Sequence, residues 1–138
     1  MSTRSKARKA ALDILFESDL RGRNSLATLE QRVSDATSDA PVRDYTKTLV
    51  EGVTEHQSAI DGRIVAALSP GWSLARMPRV DRTAVRIAVF EIDFLDVPDP
   101  VAVAEAVALV GDLSTDESPD YVNGLLGTII STKSAATG

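Results

Sequence analysis

Residues 81–95 read DRTAVRIAVFEIDFL, and this stretch decides the fold. Ala84, Val85, Ile87, Ala88, Val89, Phe90, Ile92, Phe94 and Leu95 recur at helical steps and leave little of the surface polar. A helix with so wide an apolar face belongs at the centre of a helical bundle. Asp81, just ahead of the first apolar residue, is the expected N-cap.

Outward from this segment the chain continues to read as helix. β-branched residues occur, but at spacings of three and four residues, not in alternation. Toward the N-terminus, Ile60, Ile64, Ala67 and Leu68 form a helical pattern that Ser69-Pro70-Gly71 breaks. A short irregular piece follows, expected to tuck Trp72, Leu74 and Met77 under the domain. Further back, Tyr45, Leu49, Val53 and His56 share a face, and residues 34–41 have linker composition. Leu26, Leu29 and Val33 make a short helix that Asn24 or Ser25 can cap. From Ser5 to Leu20, Ala7, Ala11, Ile14 and Leu15 form a stripe widened by Leu12, Phe16 and Leu20, with Gly22 as the stop. Toward the C-terminus, Pro100 can open a helix carrying Val101, Ala104, Val107 and Ala108. A last helix, begun by Ser118-Pro119, carries Val122, Leu125, Leu126 and Ile129. The expectation is an all-α chain of about seven helices.

At 138 residues the chain fits a single domain over 1–138 that buries a core without staples, with 1–4 and 131–138 as flexible ends. A hydrophobic fraction of 43% excludes a wholly disordered chain. No apolar run reaches the roughly 18 residues of a membrane span, and the polar N-terminus lacks a secretory apolar core, so a cytoplasmic protein is expected. The chain has no Cys and one His, which leaves no disulfide, thiol nucleophile or thiolate metal site.

Charge is unevenly placed. The net charge is −5, yet residues 1–23 carry +3 and the remainder −8. A second basic cluster joins Arg76, Arg79, Arg82 and Arg86, whereas Ile87 to Thr132 holds nine acids and no Lys or Arg. This segregation points to a basic end for a polyanion and an acidic surface for another partner; a helical domain with an unevenly solvated surface gives the same pattern.

Enzymatic signatures are missing. There is no phosphate-binding glycine loop, nucleophile elbow or Glu-x-x-His pair. Glu51 and Glu55, four apart, read as a solvated helix face, and His56 as a partly buried side chain. The expectation is a non-enzymatic binding module with no metal and no cofactor.

Four blocks in order, residues 4–16 (RSKARKAALDILF), 80–92 (VDRTAVRIAVFEI), 97–109 and 118–126 (SPDYVNGLL), resemble the NusB family of bacterial transcription antitermination factors. The resemblance implies two packed small helical bundles. It also implies a partner, the small-subunit ribosomal protein NusE, with which the pair binds boxA single-stranded RNA. The pair then joins the RNA polymerase antitermination complex in transcribing ribosomal RNA operons. It maps RNA contacts onto Arg4, Lys6, Arg8 and Lys9, and onto Tyr121 beside Glu117; Phe16 and Asp81 map to the NusE surface. The plain alternatives are an exposed basic tail, a core tyrosine and an N-cap aspartate. Four cations at a helix start can track phosphates, although they oppose the helix dipole.

Two departures from the family pattern stand out. Ala104-Glu105-Ala106 replaces the usual Asn-Glu-Ala, and Val110-Gly111 stands where a Lys is usual. Together with Asp116, Glu117 and Asp120 near Tyr121, they imply modest, salt-sensitive RNA binding by the chain alone. Some family members form homodimers, and a homodimeric interaction protein that binds no RNA is the rival reading. The same fold also occurs in a ribosomal RNA methyltransferase, but no cofactor-binding sheet pattern appears before Gly138, so a free-standing factor is expected.

Overall fold

The computed structural model describes residues 2–137, with side chains described for 2–132. It contains seven α-helices and no sheet among the described residues, as the periodicity predicts. The chain divides into two compact units, the first ending at Glu55 and the second beginning at His56.

The first unit holds α1 (Thr3–Arg21), α2 (Ser25–Asp35) and α3 (Asp44–Glu55), each contacting the other two. Ser2 caps α1, its Oγ accepting the Ser5 N–H at 3.0 Å. Gly22 ends the helix at φ +65°, a left-handed conformation that suits glycine, and lets the Arg23 N–H reach the Ser18 carbonyl at 2.9 Å. Asn24 caps α2 through Oδ1 on the Leu26 N–H, 2.8 Å. Ala7, Ala11, Leu12 and Ile14 of α1, Leu29 of α2, and Leu49, Val50 and Val53 of α3 are buried. Polar pairs also tie the helices: Thr46 Oγ1 donates to the Ala7 carbonyl at 3.0 Å, and Ser18 Oγ to Thr28 Oγ1 at 2.8 Å. Leu20, expected in the apolar stripe, is 56% exposed because it lies on the last turn, beyond the segment facing α3.

The second unit holds α4 (Gln57–Ala67), a 3-10 turn (Leu74–Arg76), α5 (Arg79–Phe94), α6 (Asp99–Leu113) and α7 (Ser118–Thr137). α5 is the central helix, contacting α4, α6 and α7, and 11 of its residues are buried. Two carboxylate–arginine forks hold the bundle: Arg86 on Asp61 at 2.8 and 3.0 Å, and Arg63 on Asp93 at 2.9 and 3.3 Å. Arg63 also donates to the Ile129 carbonyl at 3.0 Å.

Three local expectations change. α5 begins at Arg79, after Pro78, so Asp81 is not the N-cap; it is the third helical residue, where an acid still favours the helix dipole. His56 does not extend the α3 face. It opens the second unit and stacks on Phe94, ring centroids 4.1 Å apart. At the expected loose ends, Thr3 and Arg4 lie in α1 and residues 131–137 in α7; Met1, Gly138 and the side chains from 133 onward lie outside the described residues.

Candidate functional site

In the first unit, the basic start of α1 divides into two kinds of residue. Arg4, Lys6 and Lys9 are exposed, while Arg8 is 3% exposed. The reason is Tyr45 on α3: the Arg8 guanidinium lies 5.7 Å from its ring centroid, and that of Arg4 lies over the same ring at 4.4 Å. One tyrosine face thus orients two cations. The sequence reading assigned Tyr45 only to an apolar face; its signal was being the one aromatic residue of α3. Phe16, further along α1, is half-buried.

In the second unit, the start of α7 is built on α5. Ser118 Oγ donates to Asp81 Oδ2 at 2.8 Å and accepts from the Thr115 N–H at 3.3 Å. Asp81 is 1% exposed, so its carboxylate faces inward, onto α7. Glu117 is exposed and accepts the Tyr121 N–H on its carbonyl at 3.1 Å. Tyr121 is partly buried, and its ring lies 5.3 Å from that of Trp72, tilted by 35°. Its hydroxyl is buried and, like Asp81 Oδ1, has no hydrogen-bond partner among the described residues. Burial first, and the Asp81 charge second, raise the Tyr121 pKa above its ordinary value.

Trp72 is not tucked under the domain as expected. Met77 is buried, but Trp72 is 46% exposed. Turn chemistry explains it: the Trp72 N–H bonds the Ser69 carbonyl at 3.1 Å across Pro70 and Gly71, and Gly71 takes φ +88°. Pro then Gly at the two central positions is the type II signature. The turn delivers Trp72 at the surface. Ser73 then caps the 3-10 turn, with Oγ accepting the Arg76 N–H at 3.3 Å.

The second basic cluster also divides. Arg76 and Arg79 are exposed; Arg82 is buried and donates to the Leu74 carbonyl at 2.8 Å, and Arg86 is committed to Asp61. Among the described residues there is no group of three or more His, Cys, Asp or Glu able to hold a metal ion, and no helix is long and apolar enough to cross a membrane.

Known proteins resemble this chain over nearly its full length. A model described as the NusB family matches residues 5–131. The transcription antitermination protein NusB of a Nocardioides species is 54% identical over 134 residues, 96% of this chain and 97% of the relative. That of Beutenbergia cavernae is 48% identical over 139 residues, 94% of this chain and 90% of the relative. A chain in a crystal structure of antitermination factors NusB and NusE in complex with dsRNA superimposes with TM-score 0.80 at 28% identity, covering 95% of this chain and 99% of its own. NusB from Aquifex aeolicus gives 0.81 at 29% identity, covering 100% of this chain and 94% of its own. Helix order, motif blocks and end-to-end identity agree, and the chain belongs to the NusB family.

Proposed function

We propose that this chain is a cytoplasmic transcription antitermination factor that binds boxA-type single-stranded RNA together with the ribosomal protein NusE. In this reading the complex joins transcribing RNA polymerase and supports processive synthesis of ribosomal RNA. As a NusB family member the chain is non-catalytic. The observation that carries the reading is the similarity, over 95% of its length, to a chain from a crystal of NusB and NusE with RNA.

The geometry supplies supporting chemistry. Arg4, Lys6 and Lys9 project from the first turns of α1, where they can follow a phosphate backbone. Arg8, held on Tyr45, sets the position of Arg4 on the same ring. Tyr121 offers a ring for base stacking, with Glu117 exposed beside it. Phe16 and the acid-only stretch after Ile87 suit a basic ribosomal protein. Asp81 serves that surface through the α7 terminus it holds, since its own carboxylate is buried.

Size-exclusion chromatography of the chain with NusE and a boxA RNA tests this reading. A single peak containing all three components supports it. A homodimer that takes up neither RNA nor NusE establishes the rival interaction protein instead.

A further inference from the structure

Trp72 is the largest side chain that the fold leaves at the surface without an assigned role. Its turn is built to hold it there: Pro70 and Gly71 fix the chain reversal, and the Arg76 Nη1 donates to the Gly71 carbonyl at 2.9 Å. Pro70, Gly71, Trp72 and Arg76 line an open groove of about 530 Å³. Tyr121, whose ring is 5.3 Å away, lines a second groove of about 270 Å³ with Ala67, Leu68, Asp120 and Gly124. The tilted ring pair therefore stands between two clefts. One side carries a guanidinium, and the other carries the Asp120 carboxylate and small residues.

We propose that Trp72, together with Tyr121, forms a stacking platform for unpaired nucleobases of a single-stranded RNA, with Arg76 holding the phosphate on the Trp72 side. This rests on the RNA-binding reading above and adds to it a residue and a strand placement. An indole offers a π-face to any base, and such contacts tolerate sequence. A guanidinium against an indole-lined groove recognises phosphate and base plane together. Asp120 repels phosphate, so the backbone runs past Arg76 while a base enters the cleft beside Tyr121. A buried tyrosine hydroxyl leaves only the ring for this contact.

Trp72 is the one tryptophan of the chain, so its fluorescence reports on this site alone. The experiment titrates the full chain, with and without NusE, with a fluorescein-labelled boxA RNA read by anisotropy and an unlabelled strand read by tryptophan emission. The expected result is a change in Trp72 emission that tracks the anisotropy. Trp72→Ala should weaken binding roughly tenfold and Trp72→Phe should recover most of it, with unchanged helical circular dichroism in both. If anisotropy rises while Trp72 emission stays flat and Trp72→Ala binds as tightly, the platform is wrong and the RNA reading stands. If NusE alone produces the full emission change and RNA adds none, the face docks protein, which overturns the platform. If no RNA binds under any condition, the RNA reading fails and takes the platform with it.

Discussion

Ser118 Oγ donates a hydrogen bond of 2.8 Å to the buried carboxylate of Asp81, tying the first turn of α7 to the first turn of α5. A bond to a charged acceptor inside a bundle is stronger than a neutral one. Removing its donor leaves a buried carboxylate short of a partner. Ser118→Ala should therefore cost about 1–3 kcal/mol, measured by urea denaturation. Asp81→Asn, which keeps an acceptor oxygen, should cost less than Asp81→Ala. Equal losses for the two Asp81 variants would show that the carboxylate's hydrogen bond is not what matters there.

The hydroxyl of Tyr121 has no partner among the described residues, so removing it forfeits no hydrogen bond. Tyr121→Phe should unfold within about 1 kcal/mol of the parent at neutral pH and keep RNA affinity, because the ring remains. The alkaline limb should differ. Burial, then the Asp81 charge, raises the folded-state pKa of this phenol, so the neutral form is favoured in the fold. That contribution is complete below the unfolded value of about 10 and is lost as pH rises from there through the folded pKa. Tyr121→Phe should lack this alkaline loss. In Asp81→Asn the phenol, followed by its ultraviolet absorbance, should titrate at a lower pH than in the parent. A phenol that titrates identically in that variant would remove Asp81 as a cause.

At the start of α1 the cations should separate into two phenotypes. Arg8, buried against Tyr45, should destabilise the fold when changed to Ala, by about 1–2 kcal/mol for the lost cation–π contact. The exposed Lys6 and Lys9 should leave thermal unfolding unchanged when replaced by Gln, yet weaken RNA binding. Each such loss should flatten the dependence of log affinity on log salt by about 0.7. An unchanged salt slope in the Lys6→Gln, Lys9→Gln double variant would take these residues out of the RNA path.

Arg86 should behave as a structural residue. Its fork on Asp61 is partly buried, with the arginine side chain 13% exposed. Arg86→Ala should lower stability by about 1–3 kcal/mol, since it strands a carboxylate hydrogen-bonded to charge, and should leave RNA affinity alone. A double-mutant cycle with Asp61→Asn would recover most of that loss as coupling; zero coupling would contradict the fork.

The helices were legible because burial in a bundle imposes a spacing that the sequence displays: residues 84–92 read as a central helix and form one. Gly22 and Asn24 were legible because caps and stops are local chemistry. The changes came where distant residues decide. Arg82 and Arg86 read as surface charge because Asp61, 25 residues from Arg86, cannot be paired with it from spacing. Asp81 read as a cap because the signal for one is local, whereas its partner Ser118 lies 37 residues away. Trp72 read as core from its apolarity, although the Ser69-Pro70-Gly71 turn beside it was recognised as a break. The turn type, read further, says that the next residue leaves on the surface side. Within the candidate site the exposed Arg4, Lys6 and Lys9 matched their basic-tail appearance, and the placement of Arg8 depended on Tyr45, 37 residues on.

The most direct test of the central claim is a fluorescence-anisotropy titration of a boxA RNA and a scrambled strand, each with and without NusE, at two salt concentrations. The account predicts weak, salt-sensitive binding of both strands by the chain alone. With NusE present, binding of boxA should tighten by at least tenfold over the scrambled strand. Equal affinity for both strands with NusE present, or no binding of either at low salt, would contradict it.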